Sequence, residues 1–201
     1  MDRKTDLPTR DRRALLRLAA SLLMGHALAG CSKAASAPGS AAGTAAVVTD
    51  PLALAAGARG FSVGPATGAP TLYVFFDATC PHCARLWADS QALHDRLKMV
   101  WIPVGLLRHG AEHGAAILAA GDPVAAMAAN EAAVRAGRSD APASPPPADA
   151  IAAVKANTEV FNRLGVQSVP AVVYRNAATG AAGIEVGYHP PEQIAALVGV
   201  R

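Results

Sequence analysis

Residues 75–87 read Phe-Phe-Asp-Ala-Thr-Cys-Pro-His-Cys-Ala-Arg-Leu-Trp, which sets Cys80 and Cys83 three positions apart around Pro81 and His82. Such a pair can supply half a metal site, close a covalent staple, or cycle between dithiol and disulfide. The run before it, Thr71–Phe76 (TLYVFF), is β-branched and aromatic and reads as a buried strand. After it, Pro81 suits the first turn of a helix, and Leu86, Trp87, Leu93 and Leu97 predict an inner face continuing to about Leu97.

Two sulfurs at i and i+3 of one helix can reach each other, so a disulfide between them is feasible. Closing so short a loop stabilises a fold little, which makes a structural staple a weak explanation. Cys80 falls at the helix N-terminus, where unpaired N–H groups and the helix dipole favour negative charge. Thiols in such settings ionise at roughly pH 3.5–7.5. His82, when protonated, adds to that preference. Stabilising the thiolate stabilises the reduced state, so the disulfide is readily given away. On this reading Cys80 is the nucleophile that forms a mixed disulfide, and Cys83, one turn deeper, attacks it and releases the client.

The competing reading is a metal site, because His109 and His113 follow with H-x₃-H spacing. The interval from Cys83 to His109 exceeds that of a zinc finger and must also contain a strand, so we expect no metal there. His109 lies in a glycine-flanked segment, RHGAEHG, that reads as a solvated loop.

Further along, Lys98–Val104 (KMVWIPV) reads as a second strand. Residues 112–136 are alanine-rich and helical, interrupted at Gly121, where Asp122-Pro123 supplies a cap and a first-turn proline. APASPPPA (141–148) is a loop by composition, and a helix is expected from about Asp149 to Leu164, ending at Gly165. Strands at Ala171–Arg175 and Ile184–Val186 flank the turn NAATGAAG, and a last helix runs from Pro191 to about Val198. Ser168-Val169-Pro170 stands immediately before the first of these strands. Taken alone, it reads as a trans proline opening a strand. The order is βαβ, a helical block, then ββα.

The N-terminal part has a different character. Residues 1–30 hold six Lys/Arg against three Asp, which accounts for the whole formal charge of +3 and leaves the remainder neutral. The charge therefore belongs to a leader, and a nucleic-acid partner is not expected. A basic start through Arg13, an apolar stretch from Ala14 to Leu28, and Leu28-Ala29-Gly30-Cys31 form an export signal that resembles a bacterial lipoprotein box, with Cys31 as the lipidated residue. Arg17 and the shortness of the apolar run argue against an uncleaved membrane span. Asp11-Arg12-Arg13 also resembles a twin-arginine signal, leaving the route open between that and general secretion. Export places Cys80 and Cys83 where disulfides persist. Residues 32–48, rich in Ala, Gly and Ser, read as a flexible tether.

CPHC after an apolar strand, Val169-Pro170 before a later one, and Gly187 ahead of the final helix resemble the thioredoxin-fold Dsb thiol:disulfide oxidoreductases over about residues 60–200. The resemblance implies a cis Val169–Pro170 bond lying against the redox pair, with Val169 and Pro170 lining a groove where an extended client chain adds as a strand. WIPVGLL, AAILAAGDPVAAM, FNRLGVQSVPA and Asp77 look like the catalytic domain of the DsbC/DsbG group, whereas Pro-His and the valine before the proline look like the oxidant DsbA. The isomerases' N-terminal dimerisation domain has no counterpart ahead of the strand, so a monomer is expected. Where thioredoxin and DsbA place a buried acid, six residues before the first cysteine, stands Val74, and no carboxylate proton relay is assigned there.

The expectation is an α/β thioredoxin fold over 50–201 with a helical insertion at about 108–164, preceded by a lipoprotein signal peptide (1–30) and a tether (31–49). Its function would be disulfide exchange with exported proteins on the periplasmic side of a membrane, together with a membrane or periplasmic redox partner. No cofactor is expected beyond the Cys80–Cys83 disulfide. The alternatives are a tethered reductant for cytochrome or copper-site assembly, and a non-catalytic metal-binding lipoprotein.

Overall fold

A computed structural model of the chain describes residues 50–200. The expected signal peptide, the expected lipid site at Cys31 and the expected tether lie outside the described residues. In chain order the elements are α1 (Pro51–Ala56), β1 (Phe61–Val63), β2 (Thr71–Phe76), α2 (Pro81–Ser90), β3 (Lys98–Pro103), α3 (Gly110–Ala119), α4 (Pro123–Arg135), α5 (Ala148–Arg163), β4 (Ala171–Arg175), β5 (Ala182–Val186) and α6 (Pro191–Val198).

The five strands form one mixed sheet in the order β1-β3-β2-β4-β5. β2 is central, parallel to β3 from Thr71 opposite Lys98 to Phe76 opposite Pro103, and antiparallel to β4, with Phe75 opposite Ala171. β1 and β5 close the edges, each antiparallel to its neighbour.

Because side chains alternate along a strand, β2 feeds two cores. Leu72, Val74 and Phe76 point to one face, where they meet Leu86 and Trp87 of α2, Met127 of α4, and Ile194 and Val198 of α6. Phe75 points to the other, with Ile102, Val173, Ala55 of α1 and Phe161 of α5. The first face is built around aromatic edges: Trp101 packs on Trp87 at 5.0 Å and on Phe76 at 5.7 Å between ring centroids. β2 is therefore buried on both faces, as its unbroken apolar run requires.

Three helices, α3 to α5, occupy the interval between the βαβ and ββα halves. Asp122 caps α4, its Oδ1 accepting from the Ala125 N–H at 3.0 Å, and Pro123 opens the first turn. α3 and α5 meet through Ala115, Ala150 and Val154, side chains small enough for close approach. Asn157, buried on α5, ties three parts together: its Oδ1 accepts from the Arg59 N–H at 2.9 Å, and its Nδ2 donates to the carbonyls of Arg59 and Pro103.

Three expectations are corrected. RHGAEHG, read as a solvated loop, enters α3 at Gly110, with His109 as its N-cap and Gly110 and Gly114 buried. The helix after CPHC ends at Ser90 rather than near Leu97, because the Ser90 hydroxyl donates to the Trp87 carbonyl and the chain tightens into a 3₁₀ turn at Gln91–Leu93. Leu93 and Leu97 still reach the core. The sheet also gains β1, which the sequence reading lacked.

Candidate active site

Cys80 is the N-cap of α2, in extended conformation, with Pro81 at the first helical position. Proline suits that position because the N–H it lacks would have no helical partner there. The Cys80 N–H is taken by the Asp77 carbonyl at 3.0 Å, which fixes the turn leading into the helix. Both cysteines are free thiols. Cys80 keeps 5 % of its surface and Cys83 none, while Pro81 and His82 are exposed.

The two thiols have opposite acidities. Cys80 is lowered to about 6, first by the hydrogen bond that the Cys83 thiol donates to it. The backbone N–H groups of Cys83 and His82 and the charge of His82 act in the same direction, while burial works against them. Cys83 is pushed well above its ordinary value by burial, by its hydrogen bond to Cys80 and by the neighbouring Cys80 and Glu131 charges. At neutral pH Cys80 is mostly thiolate and Cys83 is a thiol.

Across from the pair, the Val169–Pro170 peptide is cis, and the Val169 carbonyl lies 3.8 Å from Cys80 Sγ. Pro170 is buried; Val169 is partly exposed and packs against both cores. The Pro170 carbonyl accepts from the Gly187 N–H at 2.7 Å, anchoring this segment to the end of β5. The structure thus brings together Cys80, Cys83, Pro81, His82, Val169 and Pro170. His109 and His113 are not part of this group. His109 precedes α3 with a left-handed backbone, and His113 Nε2 contacts the Asp140 carbonyl at 2.6 Å. Among the described residues no group of three or more His, Cys, Asp or Glu is placed to hold a metal ion.

Asp77 is wholly buried. Oδ1 accepts from the Thr79 N–H at 2.9 Å and the Thr79 hydroxyl at 2.8 Å; Oδ2 accepts from the N–H groups of Leu106 and Leu107 at 2.8 and 2.9 Å. Four donors saturate the carboxylate, so it serves as a peg joining the Cys80 turn to the 105–109 loop. Gly110 must lack a side chain there: a Cβ would lie 2.1 Å from Asp77 Oδ2.

Sequence reasoning noted Asp77 only as a point of resemblance and missed Glu131, a second wholly buried acid, altogether. The available signal was Met127, Glu131 and Val134 at i, i+4 and i+7, which puts the acid in the buried stripe of α4.

A parallel-plus-antiparallel sheet of this order, with a CxxC pair capping a helix opposite a cis proline, defines the thioredoxin class. The chain belongs to the thioredoxin-like domain family, whose pattern matches residues 61–199. It is 30% identical over 141 residues to the thiol:disulfide interchange protein DsbG of Pseudomonas aeruginosa, covering 69% of this chain and 54% of DsbG. The chain thus spans about half the length of that curated relative. In three dimensions it is similar to Proteus mirabilis ScsC in a compact conformation (TM-score 0.59, 19% identity, 73% of this chain and 74% of that one). It is also similar to a disulfide interchange protein from Neisseria gonorrhoeae (TM-score 0.54, 19% identity, 71% and 97%).

Proposed function

We propose that this protein is a thiol:disulfide oxidoreductase that exchanges disulfides with exported proteins through Cys80 and Cys83. The observation that carries the reading is the geometry of the pair: Cys80 caps the helix with the carbonyl of the cis Val169–Pro170 segment 3.8 Å from its sulfur, and Cys83 lies wholly buried one turn on, a setting that lowers the pKa of Cys80 and raises that of Cys83. In the reducing direction the Cys80 thiolate attacks a client disulfide, one client sulfur leaves as a thiolate, and Cys83 then displaces the client from Cys80. In the oxidising direction a client thiolate attacks Cys80 of the disulfide and Cys83 leaves. Val169, with its carbonyl beside the Cys80 sulfur, offers an extended client chain a backbone partner. The lowered pKa of Cys80 stabilises the dithiol, which favours giving the disulfide away over acting as a reductant.

The leader and Leu28-Ala29-Gly30-Cys31 support a lipid anchor at Cys31 and work on the periplasmic side of a membrane; a separate redox partner would recharge the pair. The similarity to the thiol:disulfide interchange protein DsbG supports disulfide exchange as the reaction.

The reduction potential of the pair, read by thiol alkylation and mass spectrometry across glutathione buffers, tests this. A value near about −120 mV is expected for a donor or shuffler, and one near about −270 mV would assign the chain to reductants. Cys83→Ser should accumulate client mixed disulfides at Cys80. If the pair does not cycle, the reading falls and a metal-holding CPHC replaces it.

A further inference from the structure

The resolving step sets a problem. Cys83 must lose a proton to attack, yet it is wholly buried and its acidity is suppressed. Val74 occupies the position where an acid would be expected, and Asp77 is saturated by four donors.

Another carboxyl group lies against the same turn. Helix α4 packs against α2, and two contacts bracket the line on which Glu131 sits. Asn130 Nδ2 donates to the Ala78 carbonyl at 2.6 Å, and Arg135 donates to the Ala84 carbonyl at 3.3 Å. Glu131, between them, is wholly buried and aligned with Met127, which shares a core with Cys80 and Cys83. Its Oε1 accepts from Asn130 at 3.2 Å, and its Oε2 has no hydrogen-bond partner. A buried polar atom left unpaired destabilises a fold, so an unpaired carboxyl oxygen on the helix that packs against the CPHC helix calls for an explanation.

We propose that Glu131 is the proton store of Cys83. The inference rests on the redox reading above. As Cys83 Sγ attacks the Cys80 mixed disulfide, its proton passes to the Glu131 carboxylate. The Cys83–Cys80 bond forms, the bond from Cys80 to the client sulfur breaks, and the client thiolate takes a proton from solvent. In the reverse step the incoming client thiolate bonds to Cys80, Cys83 leaves, and the Glu131 carboxyl returns the proton to it.

The surrounding charges favour this sequence. Burial pushes Glu131 up to about 8; the Cys80 and Asp77 charges add to that, while Asn130 and Arg135 oppose it. When Cys80 is engaged in a mixed disulfide its negative charge is gone, so the carboxyl ionises more readily in the state that needs a base. The remaining groups on α2 lie elsewhere: His82 and Arg85 are exposed, and Asp89 accepts from Tyr188. β1 has no titratable side chain, and Glu112 and His113 of α3 are partly exposed.

The test uses the full chain, reduced, mixed with 5,5′-dithiobis(2-nitrobenzoic acid) in stopped flow. Attack by Cys80 releases one nitrothiobenzoate; attack by Cys83 releases the second. Glu131→Gln should leave the first phase intact, slow the second by about tenfold or more at neutral pH, and make it rise with pH without levelling. Glu131→Asp should restore part of the rate. A second phase in Glu131→Gln with the wild-type rate and pH profile overturns the proposal. A wild-type second phase no different from Cys83→Ser overturns the redox reading itself. Should Glu131→Gln fail to fold, carbon-13 glutamate carboxyl spectra of the unaltered chain decide: one signal should titrate near 8 and move down in Cys80→Ser, whereas glutamates all titrating in the ordinary carboxylate range overturn the proposal.

Discussion

A carboxylate with no spare acceptor capacity behaves as a structural joint, and Asp77 is held that way by Thr79, Leu106 and Leu107. Because it cannot move aside, its neighbour must yield. Gly110→Ala would drive a methyl into both carboxyl oxygens, at 2.1 and 2.3 Å. We expect a stability loss of about 1–3 kcal/mol, typical of overpacking, together with altered reactivity at Cys80, whose N–H bonds the Asp77 carbonyl. Urea denaturation and the rate of Cys80 alkylation check the two effects. Unchanged values for both would show that the 105–110 loop shifts freely, contrary to the saturated bonding.

At the scale of elements, three pieces distant in sequence converge on Asn157: the approach to β1, the end of β3, and α5. Asn157→Ala leaves one backbone N–H and two carbonyls without their side-chain partner. The expected loss is about 2–4 kcal/mol, and it should exceed that of removing the exposed Arg59–Asp149 ion pair, which contributes at most about 1 kcal/mol. Denaturation midpoints of the two variants decide the ordering. The same region shows where sequence reading stops. β2, β3 and β4 were legible because β-branched and aromatic runs are bounded by turn residues, and α4 because Asp122-Pro123 marks its start. β1 was not, since Phe61–Val63 between glycines has no local preference strong enough to declare itself; its pairing with β3 makes it a strand. In the site, Cys80, Cys83 and the X-Pro bond were visible as motifs, but an isolated glutamate in an alanine-rich helix reads as solvated until the packing of α4 on α2 is known.

Across the whole molecule the site opposes itself in its dependence on pH. The folded Cys80 ionises at about 6 against an ordinary 9.0, so between those values the unfolded chain binds a proton the folded chain lacks, and stability rises with pH. Glu131 is raised from 4.5 to about 8, so over that range the folded chain holds the extra proton and stability falls. For the reduced protein the two effects run against each other between about pH 6 and 8. Glu131→Gln should therefore gain stability over the wild type progressively from pH 4.5 to 8, by at most ~1.4 kcal/mol per pH unit, and gain nothing below that range. Urea titrations of both proteins at several pH values read the difference directly; a constant difference would mean that Glu131 ionises as an exposed acid does.

The Asp77 joint also bears on the surface a client would meet. Leu106 and Leu107 expose their side chains to solvent, yet their backbone N–H groups end on a buried carboxylate. A surface loop ordinarily trades its amide hydrogens with water quickly. These two can do so only when their bonds to the Asp77 carboxylate break. In deuterium exchange they should behave as core amides carrying surface leucines, and the apolar face they present is a fixed one, tied through Asp77 to the turn that holds Cys80.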